Sequence, residues 1–310
     1  MQLGLLQFTA GTSHDVKDIL SLAVEADALG FSRFWLGEHY TNIDWNNPEA
    51  LLPIILGLTE NIRVGPAGIL LRLHAPFRIA CTFKLMSAVF PDRIDLGLGA
   101  GVTANEKAIK LLTNLNTEHF QDINYRAKVE ELMDFFNNEA SHLDEGVIVA
   151  PIQIPAPPVW LLSTSNNSLG MALDLKANVS RSLFHQSSLQ DPDKDNLDRF
   201  YEAYFKQHGV LPQVNLAFAG VCGPSKAAAQ ERFAASSYAT NTFILPNIIG
   251  TPEEFQEILA GYQERFGINE FIFLDMSDQQ EDRLWSLNAL SEVCRLPAAL
   301  REATADLETA

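Results

Sequence analysis

Eight residues, Ser32-Arg33-Phe34-Trp35-Leu36-Gly37-Glu38-His39, constrain the fold more than any other stretch of the chain. They form a short apolar run that stops abruptly at an acid and a histidine. The aromatic pair Phe34-Trp35, bounded by Gly30 and Gly37, suits a buried strand. An amphipathic pattern precedes the run, and Asn47-Pro48, a helix-opening signal, follows it. A strand set between two helices is a βαβ unit, whose neighbouring strands are parallel. In such sheets ligands gather at the carboxyl ends of the strands. Glu38 and His39 stand at that end.

The same alternation runs along the chain. Gln2 to Phe8 is the first strand, and Gly11-Thr12-Ser13 offers a turn and a helix cap. Val16, Ile19, Leu20, Ala23 and Val24 follow the spacing of a core-facing helix that Gly30 ends. Asn47 caps a second helix with Pro48 at its first position. This helix carries Leu51, Leu52, Ile54, Ile55 and Leu58. Asn61 to Leu71 is the third strand. Gly65, Pro66 and Gly68 inside it weaken a strand, so they mark a bulge, a barrel bend or a close approach of backbone to ligand. Ala75-Pro76 starts a third helix through Ala80, Leu85, Met86 and Val89, and Pro91-Asp92 turns into the fourth strand, Arg93 to Gly99.

Residues 102 to 142 hold helical material and residues 143 to 158 a Pro-rich connection. Val159 to Leu162 is the fifth strand, Ala177 to Leu183 the sixth, Val214 to Ala219 the seventh and Glu270 to Leu274 the eighth. Tyr201 to His208 lies in a charged helix, Pro224 opens another, and Thr251-Pro252-Glu253-Glu254 is a capping box whose helix ends at Gly267. A last helix holds Leu284, Leu287, Leu290 and Val293, and the acidic tail after Arg301 is expected to fray. Eight strands, most followed by helices, predict a (β/α)8 TIM barrel with loop insertions, a single domain over residues 1–310.

Charge narrows the function. The chain carries 39 acidic against 22 basic side chains, a net charge of -17. That excludes nucleic-acid and anionic-membrane surfaces, which need clustered Lys and Arg. An anionic ligand must then be held locally, by backbone N–H groups and hydroxyls. Cys81, Cys222 and Cys294 are too far apart in sequence for a metal pattern or a disulfide framework, which points to the cytoplasm. No run approaches a membrane span and no basic leader opens the chain.

Several residues stand where chemistry is expected. Ser163 to Ser168 is a run of six small polar residues before a helix. A helix N-terminus offers unpaired N–H groups and a favourable dipole to a phosphate, although Ser and Asn also serve as plain caps. His39 suits proton management, because small shifts set histidine protonation near neutral pH. The alternative is a hydrogen-bonded structural histidine. Glu38 orients its surroundings or salt-bridges a barrel arginine. Gly97-Leu98-Gly99-Ala100-Gly101 misses the dinucleotide fingerprint, since its third glycine comes one residue early. It fits the small-residue mouth of the fourth strand instead. Phe8 borders a ligand or the core, His185 ends the sixth strand facing substrate, and His74 is structural. A metal-dependent hydrolase would be marked by an HxH pair or an acid–histidine cluster on the first strand, and neither is there.

Five segments, ADALGFSRFWLGEHY, IRVGPAGILLRLHAPFRIA, FPDRIDLGLGAG, PPVWLLSTS and GTPEEFQEILAGYQERFGINEFIFL, occur in the order and at about the spacing of the bacterial luciferase-like flavin-dependent monooxygenases, and the chain resembles that family. The resemblance implies reduced FMN delivered by a separate flavin reductase. It also implies dioxygen and a C4a-(hydro)peroxyflavin that oxygenates a small or medium organic substrate. An F420-dependent hydride-transfer enzyme, or a catalytically degenerate flavin-binding member, is implied as the alternative. His39 matches the first histidine of the family's second-strand pair. Tyr40 stands where many relatives have a second histidine, in the substrate pocket, and Ala100 where many have arginine. Ala67-Gly68 falls where the family often has a non-prolyl cis peptide beneath the flavin ring. Phe8 and Gly99 would lie beside that ring, and Ser163, Thr164 and Ser165 would hold its phosphate. The family also implies a homodimer through the second and third helices.

Overall fold

Apolar residues alternate between two destinations along each strand, and this sets the architecture. In the first strand Leu3 and Leu5 face the helices while Leu6 faces the barrel interior. The computed structural model describes residues 1–8, 16–40, 47–115, 117–165, 168–186 and 191–298. Its strands are β1 (Gln2–Gln7), β2 (Arg33–Leu36), β3 (Arg63–Pro66), β4 (Ile69–Leu70), β5 (Leu96–Gly99), β6 (Val159–Ser163), β7 (Asn178–Ser182), β8 (Val214–Cys222), β9 (Ile248–Gly250) and β10 (Glu270–Asp275). Its helices are α1 (Val16–Ala28), α2 (Leu52–Leu58), α3 (Pro76–Val89), α4 (Glu106–Thr113), α5 (Thr117–Gln121), α6 (Tyr125–Asn137), α7 (Glu139–Asp144), α8 (Ser168–Leu175), α9 (Lys194–His208), α10 (Lys226–Ala235), α11 (Pro252–Phe266) and α12 (Gln280–Val293).

The strands pair in parallel in the order β3-β2-β1-β10-β8-β7-β6-β5-β4. β3 and β4 are two pieces of one strand, so this order is a ring. Val64 in β3 closes it from the other side, donating to the Arg93 carbonyl at 2.8 Å and accepting from Asp95 N–H at 2.9 Å. The fold is a (β/α)8 barrel, as the alternation predicts.

The expected third strand is broken at Ala67-Gly68, which is a non-prolyl cis peptide. Its glycines answer to crowding between strands. A Cβ on Gly97 would lie 2.2 Å from the Pro66 carbonyl oxygen, and one on Gly68 would lie 2.5 Å from Leu162 Cδ1.

Other expectations shift locally. The buried face of α1 is Ile19, Leu22, Ala23 and Ala26, whereas Val16 and Val24 are exposed. The stripe that meets the sheet begins at Ile19, and Val16 and Val24 flank it. Asn47 precedes a single 3-10 turn, Pro48–Ala50, without a side-chain cap, and α2 begins at Leu52. Pro224 lies before α10, whose cap is Ser225, the acceptor from Ala228 N–H. The capping box of α11 forms with both of its hydrogen bonds. β9 has no counterpart among the strands expected from sequence; it pairs with β8 at Gly220 to Cys222, beyond the point where β7 ends. The cap at Gly11 to Ser13, the pair Asn166-Asn167 and the tail after Arg301 lie outside the described residues. Among the described residues no helix is long and apolar enough to cross a membrane.

The interior at the amino end of the barrel is polar. The fully buried Asp95 carboxylate accepts from Arg33 Nη1 at 2.5 Å, Arg63 Nη2 at 2.9 Å, Trp35 Nε1 at 3.0 Å and Trp160 Nε1 at 3.4 Å. Arg33 also donates to Glu270 at 2.7 Å and lies over the Trp160 ring at 4.5 Å. Asp95→Asn leaves two guanidinium groups short of their counter-charge, and is expected to destabilise the fold by about 3–5 kcal/mol in urea titration. Lys194→Ala, which breaks an exposed pair with Asp198, is expected to change it by less than about 0.5 kcal/mol.

Candidate active site

The carboxyl ends of the strands surround one cavity of about 600 Å³, within the usual range for a cofactor or small-molecule site. Phe8, Glu38, His39, Ala67, Gly68, Gly99, Ser163, Thr164, Ser165 and His185, drawn from six different strand ends, all line it. Trp35, held from below by Asp95, contributes to its floor.

Local sequence explains the arrangement after β2. Gly37 leaves space for Phe8, since a Cβ there would come within 2.5 Å of the Phe8 ring. Phe8 in turn meets the His39 ring edge-on, at 4.9 Å between centroids. Glu38 and His39 diverge, as successive residues of an extended chain do. The Glu38 carboxylate accepts from Leu70 N–H at 2.7 Å and Tyr40 Oη at 2.5 Å, and contacts His74 Nε2 at 2.6 Å. Its side-chain partners are therefore Tyr40 and His74 rather than a barrel arginine, and Arg33 and Arg63 pair instead with Asp95 at the opposite end. Glu38 holds the backbone that follows the cis peptide.

Tyr40 is not among the residues that line the cavity. Its ring packs with Leu73, Ile109 and Phe120 beside the rim. The hydroxyl's hydrogen bond to Glu38 draws it there. Burial first, and then the Glu38 carboxylate, raise the Tyr40 pKa, so the phenol stays a donor.

On the opposite wall Ser182 Oγ and His185 Nδ1 are 2.6 Å apart, and His185 lies beside Phe184. Ser180 and Ser182 also line the cavity. Sequence reasoning misses both, although they alternate with Val179 and Leu183, which pack outward. At the end of β6, Ser163 Oγ donates to the Ser165 carbonyl at 2.6 Å and accepts from Ser165 N–H at 3.1 Å. Ser168, the first residue of α8, lines the same cavity, and its buried hydroxyl has no hydrogen-bond partner among the described residues.

With this geometry in view, the sequence matches the model of a family described as luciferase-like monooxygenase over residues 1–246. The chain belongs to the luciferase-like monooxygenase family. It is 25% identical to the uncharacterized protein YwcH of Bacillus subtilis strain 168, over 89% of this chain and 92% of that one. It is 31% identical to a luciferase-like monooxygenase of Escherichia coli K12, over 50% of this chain and 46% of that one. Beyond YwcH, the curated relatives of higher identity are matched over about half of their length. Among solved structures, apo-MsnO8 is similar at a TM-score of 0.79 and 25% identity, covering 96% of this chain and 98% of that one. Two more distant structures share the fold. One is the oxygenating constituent of the Pseudomonas putida 3,6-diketocamphane monooxygenase in complex with FMN, with a TM-score of 0.69, 17% identity and coverage of 96% and 98%. The other is an F420-dependent secondary alcohol dehydrogenase, with a TM-score of 0.68, 14% identity and coverage of 94% and 97%.

Burial first, and then the charge of His39, lower the His185 pKa below its ordinary value. As pH falls below about 6.5, the unfolded chain binds a proton at His185 that the folded one does not. Stability therefore falls with pH in that window. His185→Asn is expected to flatten this part of the pH–Tm profile, and identical slopes for the two proteins would contradict it.

Proposed function

We propose that the protein is a flavin-dependent monooxygenase that uses reduced FMN and dioxygen to oxygenate a small or medium organic molecule, with residues 1–310 acting as one barrel domain. The carrying observation is that a single cavity joins the Ala67-Gly68 break, the His39 imidazole and the hydroxyl-rich turn before α8. The residues fit such a cofactor. Ser168 has a buried hydroxyl with no partner among the described residues where α8 begins, and a helix start with hydroxyls suits a phosphate without a cation.

Reduced FMN, when bound, supplies the electrons that activate dioxygen. Ser163, Thr164, Ser165 and Ser168 would receive its phosphate. The backbone at Ala67-Gly68, with Gly99 and Phe8, would border its ring. Trp35 and Leu6 keep water from the floor of the cavity. His39 gives or takes a proton at its imidazole, and Glu38 keeps the Leu70 backbone in place. The same reading includes a separate flavin reductase and a homodimer through α2 and α3. The exposed Ile54 and Leu58 on α2 and Leu85 and Val89 on α3 support that dimer. A second reading, hydride transfer with F420, is favoured by the F420-dependent structure of similar fold. Oxygen consumption coupled to product oxygenation separates the two.

Replacing Ser163 and Thr164 together with alanine is expected to weaken FMN binding roughly tenfold while leaving riboflavin affinity near its original value. Equal losses for both flavins would remove the phosphate assignment. His39→Gln is expected to slow single-turnover oxygenation by roughly 10²–10⁴-fold with FMN affinity unchanged. An unchanged rate would rule out its part in proton transfer.

A further inference from the structure

We infer that the substrate of this cavity is an uncharged, mainly apolar molecule with one hydrogen-bonding oxygen, received by the Ser182–His185 pair. The inference rests on the cavity's being the site proposed above. Among the described residues, no Lys or Arg lines the cavity. The undescribed residues contain one, Arg301, in the tail after residue 298. Arg181, the arginine of β7, is the register partner of Ser163 and is not among the lining residues. Glu38, the acid among the described lining residues, keeps its buried carboxylate turned to the chain, where it accepts from Leu70 and Tyr40 and contacts His74.

A substrate carboxylate placed there would be desolvated with no lysine or arginine beside it among the described residues, which is costly. The acidic protein as a whole adds a repulsive field. A phosphate has the start of α8 available on the β6 side. The β7 side has one hydroxyl hydrogen-bonded to one imidazole, set among Phe184, Phe8, Ala217 and Ile272. Burial and the nearby His39 both oppose protonation of that imidazole. A neutral serine–histidine pair can give one hydrogen bond to a carbonyl oxygen, or give one to or accept one from a hydroxyl, and it cannot neutralise an anion. The apolar walls select for hydrocarbon around that oxygen.

The test is calorimetric titration with a panel of ketones of rising chain length, each paired with the carboxylate of the same skeleton, beginning with 4-phenyl-2-butanone and 4-phenylbutanoate. FMN binding is measured first in the same preparation, and the panel is then run on both the FMN-loaded and the free protein. Ketones are expected to bind at least roughly tenfold more tightly than their carboxylates. Carboxylates that bind as tightly as the ketones, or a panel in which no ketone binds, would overturn the inference. A preparation that fails to bind FMN but keeps the ketone preference would overturn the functional reading and leave this one standing. Ser182→Ala is expected to weaken the ketones by about five- to tenfold while sparing matched hydrocarbons such as butylbenzene. Equal losses for ketones and hydrocarbons would remove Ser182 from recognition.

Discussion

The buried carboxylate of Asp95 is the constraint on which the rest of the barrel depends. It gathers donors from Arg33 and Trp35 on β2, Arg63 on β3 and Trp160 on β6. These elements lie on both sides of the point where the ring closes, so one side chain spans the closure. Arg33 carries the connection on to Glu270 at the start of β10. A buried ionic cluster is weak evidence for net stability, because desolvation offsets most of its attraction. Its geometric demand is strong, however, since every member must find its partner. A slip of one residue in any of these strands would turn its polar member out of the interior. The cluster also fixes Trp35, which packs edge-on against Trp160 at 5.3 Å and contributes to the floor of the cavity.

Above that floor, adjacent residues have different tasks. Glu38 faces the chain and His39 faces the cavity. Glu38 fixes the segment after Ala67-Gly68 by accepting the Leu70 N–H, and holds Tyr40 and His74 against the rim. His39 remains beside Phe8, on the same cavity as the β6 and β7 hydroxyls. The polarity of the lining is therefore divided. Hydroxyls cluster at the β6 end, imidazoles lie at β2 and β7, and aromatic and aliphatic groups fill the space between. Such a division lets an acidic protein receive a ligand with one polar tail while most of the cavity stays apolar.

Much of this is legible in the order of the amino acids. The strands after residues 32, 93, 158 and 269 can be read because buried parallel strands are short apolar runs between glycines, prolines and helix caps. The glycines and proline of the third strand point to its break, and the capping box of α11 announces itself at Thr251. What is not legible depends on contacts between distant residues. The buried face of α1 is set by the sheet beneath it, and Val16 and Val24 fit an equally regular pattern. β9 is three residues long, too short for a period to show. Tyr40 follows His39 in sequence, but its direction is decided by Glu38 and by Ile109 and Phe120, which come some seventy residues later. Asp95 reads as one more residue of the fourth strand, and nothing nearby in sequence reveals its partners on three other strands.

Hydrogen–deuterium exchange with and without FMN, followed peptide by peptide, tests the central claim most directly. Saturating FMN is expected to slow exchange in segments 37–40, 67–70, 99–101 and 161–165, and to leave the helices around the amino end of the barrel unchanged. Slowed exchange at that opposite end, or no change anywhere once FMN binding is established, would contradict it.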